Sequence, residues 1–323
     1  MRNYFTKKYF KRSVNILKDT VTGFMEDKGL KLSASLSYYT VFSMAPLLLL
    51  LISLAGAFFG REAIEGKVFD EINGLIGDKA AAQVQEIITN LELSGKTTMS
   101  LVIGAITLVI GATTVFGEIQ DSINMIWRVK AKPKRGWVKL LKDRLLSGSI
   151  IVGLGFLLVV SLLVNGAVLA LSDILHRYFP DMTIIILSII NVAISFIVIT
   201  ILFGVIFKVL PDAKIAWKDV RAGAFFTAIL FMLGRYLIGL YIETTAAGSP
   251  YGAAGSIIII LLWVYYTAAI LYIGAEFTRV YADYTGVLIE PAEYAVYVEQ
   301  KEIEKNVKAI PTDDKTSNKK ENP

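Results

Sequence analysis

The chain of 323 residues contains no cysteine and one histidine, His176. Disulfides, zinc–thiolate sites and cysteine nucleophiles are therefore excluded, and so is a metal site built on a histidine cluster. Charge is also scarce, at 19% of residues against the roughly 25% usual in soluble domains. It is missing altogether from Leu32–Gly60, Thr97–Gly117, Leu145–Ser172, Met182–Phe207 and Thr244–Ala275, and Ala222–Ile242 carries Arg235 alone. A soluble surface needs charge every few positions. What the chain has instead is apolar residues, 54% of the total, with a mean hydropathy of +0.57. Each run suffices to cross a hydrocarbon core of ~30 Å, which takes about 20 helical residues. The composition excludes a disordered chain, a collagenous repeat and a secreted disulfide scaffold. It specifies a polytopic, all-α integral membrane protein.

The distribution of Lys and Arg orients the spans. Residues 1–31, 118–144, 208–221 and 276–323 carry eight, eight, four and seven of them, 27 in all. The alternate segments 61–96 and 173–181 carry four and one, and the turn at Glu243 none. Basic loops stay inside, so six spans are expected at about 32–60, 97–117, 145–172, 182–207, 222–242 and 256–276, with both termini cytoplasmic. The first run is too long for a signal-peptide core and is expected to remain in the chain. The basic loop Arg128–Arg144 is read as a topology determinant and not as a nucleic-acid surface.

Three segments flank this membrane domain of residues 32–285. In residues 1–31, Phe5, Tyr9, Phe10, Val14, Leu17, Val21, Phe24 and Met25 recur at helical spacing among Lys7, Lys8, Lys11, Arg12 and Lys18. This basic amphipathic helix is expected on the anionic inner leaflet; packing against the ends of the spans is a compatible alternative. Residues 61–96 carry two apolar stripes separated by Gly77, which predicts a short external helical hairpin. Residues 286–323 form a charged tail, disordered toward its end.

Polar groups inside apolar runs are the candidates for function, because they are expensive in lipid and normally face a bundle interior or a wet cavity. Arg235 sits in the outer half of the fifth span, and Glu243 follows within pairing reach. Asn165 and Asn191 lie in the outer parts of spans three and four, where structural hydrogen bonding is the leading reading. The stretch Thr244–Ser256 is glycine-rich, and its Gly248, Tyr251 and Gly252 suit either a tight outer turn or irregular backbone along a cavity. Glu118, Asp121 and Asn124 follow one another at i, i+3, i+6, near Gln120. They suit a proton or cation site, or more plainly a solvated acidic face. Pro46 is expected to kink the first span, and Glu276 to pair with Arg279. No metal or cofactor site is expected.

Four segments together resemble the YihY/BrkB family of bacterial inner-membrane proteins: Ala34–Leu50 (ASLSYYTVFSMAPLLLL), Gly111–Trp127 (GATTVFGEIQDSINMIW), Leu210–Trp217 (LPDAKIAW) and Tyr251–Val280 (YGAAGSIIIILLWVYYTAAILYIGAEFTRV). The resemblance spans roughly residues 10–285. It implies a six-helix inner-membrane protein with Pro46, Trp263, Gly274 and Glu276 at fold-defining positions. Family members carry a ribonuclease BN label and are also proposed as transporters or lipid-handling proteins, with no catalytic residues to transfer.

Metal-assisted RNA hydrolysis needs a cluster of His and carboxylates on the cytosolic side, and the lone His176 is expected outside. No enzyme activity is therefore expected, and the absence of a Walker A motif leaves ATP-driven pumping by this chain without support. The leading expectation is a transporter or lipid-flippase-like protein for an anionic or amphipathic small molecule or lipid. The alternative is a non-transporting scaffold or envelope-assembly factor. Membrane lipids are the expected partners, and the sequence leaves the oligomeric state open. The orientation is testable in a chain free of cysteine: Lys134→Cys should react with an impermeant thiol reagent only after permeabilisation, and Ser94→Cys in intact cells.

Overall fold

Long uncharged runs bounded by charge fold into long helices, because lipid leaves the backbone no other partner for its hydrogen bonds. A computed structural model describes residues 2–43, 98–132, 183–245 and 255–299. Helix α1 spans Arg2–Glu26, and α2 follows after a two-residue turn, helical from 29 through 43. Then come α3 (Thr98–Ile126), α4 (Thr183–Val209), α5 (Trp217–Thr245) and α6 (Gly255–Thr285). Short strands β1 (Val129–Ala131), β2 (Ala213–Lys214), β3 (Glu290–Pro291) and β4 (Ala295–Tyr297) lie between and after the helices. The predicted external hairpin, the span at 145–172, the Pro46 kink and the end of the tail lie outside the described residues.

Among the described residues three helices are long and apolar enough to cross a membrane, at Ile189–Val209, Trp217–Ile238 and Ile260–Thr285. Their outward surfaces are apolar: Ile189, Val192, Ile197 and Ile201 on α4 are exposed, as are Phe225, Leu233 and Leu237 on α5. A soluble fold could not keep such faces in water. The 31 residues of α6 measure roughly 46 Å at 1.5 Å per residue, so the helix runs well past a ~30 Å core. This is a mostly helical membrane protein.

Helix α5 packs between α4 and α6. The α5–α6 contact is built from a reciprocal pair of small residues. Gly223 of α5 faces Thr278 of α6, and Gly274 of α6 faces Thr227 of α5, each glycine so close that a Cβ would collide with the opposing Oγ1. The two threonine hydroxyls donate to carbonyls four residues back, Thr227 to Gly223 and Thr278 to Gly274, both at 2.7 Å. Higher up, Gly234 admits the Tyr266 ring. On the other side Gly204 of α4 meets Ala224 at ordinary contact distance. Phe231 bridges the layers, its ring set against Phe203 of α4 and Trp263 of α6.

The buried core gathers where α6 ends. Phe24, Leu36, Ile123, Trp127, Phe207, Leu210, Val220 and Tyr272 form one cluster drawn from every helix and from the α4–α5 loop. The chain leaving α6 crosses this end as a strap. It pairs first with the α4–α5 loop (Ala213 opposite Pro291) and then with the chain leaving α3 (Lys130 opposite Val296). Residues 287–299, which read as the start of a charged tail, thus hold two loops together.

The glycine contacts predict opposite outcomes for one substitution at two sites. Gly274→Ala should lower thermal stability in detergent by about 1–3 kcal/mol, the usual result of overpacking. Gly117→Ala on α3, where nothing lies within 4 Å, should be neutral or stabilising by up to about 1 kcal/mol through helix propensity. Melting curves followed by circular dichroism would read both.

Candidate functional site

Among the described residues, two regions carry the candidate polar groups. The first is the strapped end. Gln120 and Asn124 are four residues apart on α3 and so share a face, and both point at Asp212 in the α4–α5 loop. Gln120 Nε2 donates to Asp212 Oδ1 at 3.1 Å and Asn124 Nδ2 to Oδ2 at 2.9 Å, while the Asp212 backbone N–H donates to Asn124 Oδ1 at 2.8 Å. The Ala292 N–H from the strap adds a bond to the Asp212 carbonyl at 2.9 Å. Asp212 is buried, and these donors replace the water it gives up.

Beside this clamp lies a cluster of four charges. Arg128 follows α3 in the left-handed backbone region, at φ 58°, where a β-carbon makes the conformation unfavourable. Its guanidinium meets the Asp27 carboxylate at 2.7 Å. Glu276 on α6, fully buried, pairs with Arg279 one turn on, as expected at i, i+3, and Arg279 also reaches toward Asp283 at 3.9 Å. Gly23 of α1 leaves the space that the Glu276 carboxylate fills. Asp27 Oδ2 meets no hydrogen-bond donor among the described residues. Burial lifts the Asp27 carboxyl above the usual carboxylate range, although the charge and hydrogen bond of Arg128 pull it down.

Several single bonds complete this end. Trp127 Nε1 donates to the Ala275 carbonyl at 2.9 Å; away from this end, Ser37 of α2 donates to the Leu261 carbonyl in the first turns of α6 at 2.8 Å. Tyr284 donates to Asp19 at 2.7 Å, and Arg12 donates to the Tyr284 carbonyl. Asp219, in the first turn of α5, accepts from Thr285 at 3.2 Å. A cavity of about 410 Å³ opens beside β1, lined by Asp121, Asn124, Met125, Arg128, Lys130 and Val298. No three His, Cys, Asp or Glu among the described residues are grouped to hold a metal ion.

The second region surrounds Arg235. At about 100° per residue, Arg235 continues the stripe Ala224, Ala228, Phe231 on α5. Lower down that stripe is the packed side of the helix: Ala224 and Ala228 are buried and Phe231 is wedged between α4 and α6. At Arg235 the same stripe is exposed. The outward stripe of α5, Phe225, Ile229, Leu233 and Tyr236, lies about 115° further round. Arg235 is thus exposed on a stripe of α5 that is packed lower down the helix.

The other sequence candidates are placed as follows. Glu118 is half-buried, Asp121 exposed and Asn124 buried against Asp212, so this trio is divided between surface and core. Asn191 is exposed on α4. Glu243 lies in the last turns of α5, its side chain outside those described, as are Asn165, Gly248, Tyr251, Gly252 and Pro46. Trp263 stacks edge-on with Phe231, Gly274 receives Thr227, and Glu276 is in the charge cluster. Sequence reading passed over Asp27, Arg128 as a partner, Asp212 and Gly23. The i, i+4 pair Gln120/Asn124 and the helix break at Asp27–Lys28 were the available signals.

Removing Arg128 strands a buried carboxylate. Arg128→Ala should destabilise by about 3–5 kcal/mol near neutral pH, and Asp27→Asn in the same chain should recover part of the loss. A carboxyl raised in the fold binds protons more readily there than when unfolded. Its contribution is thus present at low pH and lost as pH rises through the folded-state value. The Arg128→Ala protein should accordingly regain stability on acidification, and the double variant should not; thermal melts from pH 5 to pH 8 would tell them apart.

Comparison with known proteins agrees with this architecture. The profile of the family described as Virulence factor BrkB matches residues 20–294. The UPF0761 membrane protein VV0203 of Vibrio vulnificus is 29% identical over 255 residues, covering 75% of this chain and 74% of its own length. The UPF0761 membrane protein PA0951 of Pseudomonas aeruginosa is 28% identical over 279 residues, covering 83% of this chain and 63% of its own. No solved structure matches. With most of its length matched by that profile, the chain belongs to the BrkB family of membrane proteins, the YihY/BrkB family of its sequence signatures.

Proposed function

We propose that this protein is a transporter or lipid-flippase-like protein of the bacterial inner membrane, with six spans and both termini in the cytoplasm. It moves an anionic or amphipathic substrate along the bundle side of α5. The observation that carries this reading is Arg235, a permanently charged group in an apolar run, standing on the stripe that packs the helix lower down yet exposed at its own level. A charge in a span normally faces a polar interior. The guanidinium offers a planar fork to a phosphate or carboxylate, a geometry lysine does not reproduce. Glu243, about two turns further along α5, and the glycine-rich segment after it in sequence are the further candidates for this site.

The strapped end faces the cytoplasm in this proposal. Lys28, Arg128, Lys130, Lys132, Lys208, Lys214, Lys218 and Arg221 collect there among the described residues, as basic loops do on the inner side. Its bonded loops hold one end of the helices together while the outer end admits substrate. No covalent chemistry by the chain is part of this reading.

Flux of labelled anionic phospholipid and of small anions across proteoliposomes tests it. Arg235→Lys should insert and melt like the parent and lose most of its flux. Arg235→Leu should insert at least as well, since the insertion penalty of about 2.5–3.5 kcal/mol disappears, and be inactive. A Leu variant with parental flux would return Arg235 to the role of an interfacial anchor.

A further inference from the structure

Helix α1 shows three faces. Ile16, Thr20, Gly23 and Phe24 are buried against the end of α6, where Arg12 and Asp19 add polar bonds to Tyr284. A second stripe, Phe10, Val14, Leu17, Val21 and Met25, is spaced 4, 3, 4, 4 along the helix and fully apolar, yet every member is 45–72% exposed. At about 100° per residue it lies roughly a third of a turn from the packed face. Beyond it the helix turns polar, with Lys11, Lys18 and Thr22 exposed and Asn15 half-buried. Lys11 and Lys18 border the apolar stripe.

We infer that this second stripe is seated in the leaflet that α2 enters, making α1 an interfacial helix held sideways by α6 and from above by lipid. Three observations select lipid as the occupant. The stripe ends at Met25, and only the turn Glu26–Gly29 separates it from Leu30, the start of a second exposed apolar stripe, Leu30, Ala34, Tyr38 and Phe42 on α2. That stripe opens the first uncharged segment, so exposed apolar surface continues along the chain from α1 onto α2. The α1 anchor at Gly23 sits on Glu276, where the uncharged run of α6 stops, which sets α1 at headgroup depth. The bordering lysines match the charge of anionic headgroups and reach them while their stems stay on apolar surface. The packed face and the lipid face are different faces, so docking on α6 and docking on lipid occur together. The inference is independent of the transport reading.

The full-length protein tests it, because a chain without cysteine accepts single labels. A fluorophore at Leu17→Cys or Val21→Cys samples the stripe, and one at Asn15→Cys or Thr22→Cys the polar face. In vesicles of phosphatidylglycerol and phosphatidylethanolamine, brominated acyl chains should quench the stripe labels from a depth of about 5–10 Å below the headgroup boundary, as for other interfacial helices. Aqueous iodide should quench the polar-face labels and spare the stripe. Lys11→Glu with Lys18→Glu, or vesicles of phosphatidylcholine alone, should weaken the bromolipid quenching at Val21→Cys. Iodide reaching both faces equally would overturn the inference in favour of a solvated helix. A stripe reached by neither quencher would overturn it in favour of a protein partner or a second copy. Bromolipid quenching that ignores both charge changes would overturn the role of the lysines.

Discussion

Two helices in lipid gain little from burying apolar side chains against each other, because lipid tails are as apolar as leucine. Their association must come from close contact. In this protein the contact is the exchange between Gly223 and Thr278 and between Gly274 and Thr227. Each helix carries a glycine and, four residues on, a threonine, so antiparallel packing sets every threonine over the other helix's glycine. The hydroxyls that face the glycines donate within their own helices, so the close contact leaves no unsatisfied donor. Everything above and below inherits this spacing: Tyr266 lies over Gly234, Trp263 meets Phe231, and Asp219 comes within reach of Thr285.

Close packing in the membrane leaves irregular backbone to be settled at the ends, and this chain settles much of it at one end. The α4–α5 loop brings Asp212 into the core, and α3 answers with Gln120 and Asn124. The turn before α2 buries Asp27, and the residue after α3 answers with Arg128 in a left-handed conformation. Glu276 is accommodated by the absence of a side chain at Gly23. These groups are mutually dependent, since each buried charge is tolerable only while its partner is in place. The strap of residues 287–299 then pairs with both loops. The end so built is tightly bonded. Arg235, toward the other end of α5, stands exposed.

Much of the helical architecture was legible from absence of charge, because a run that holds no charge for twenty residues has few places to go except a bilayer. α3 and α4 start one residue inside the uncharged runs at Thr97 and Met182, and α6 starts at Gly255, beside the expected span start at 256 but eleven residues into its run. Helix ends were less legible. α3 continues past Gly117 to Ile126 and α6 past Glu276 to Thr285. The spacing of Glu118, Asp121 and Asn124 and of Glu276 and Arg279 pointed to helix there, but the absence of charge marks where an apolar run stops and not where its helix does. The pair Glu276–Arg279 was readable because it is local. Asp27–Arg128 was not, as the partners are a hundred residues apart and neither stands out in a basic, polar neighbourhood.

The sequence by itself determined that this is a membrane protein of helices, where the uncharged runs begin, and which family it belongs to, because composition and local spacing carry that information without any contact. Tertiary structure alone decided which polar residues are spent and which are displayed. Asn124 and Asp121 are three apart on one helix, yet one is sealed against Asp212 and the other faces solvent. The apolar residues of α1 look like one broad face in sequence and are divided by α6 into a packed stripe and an exposed one. In both cases the deciding quantity is the position of a distant element, the α4–α5 loop for Asn124 and α6 for α1, and no local pattern announces it.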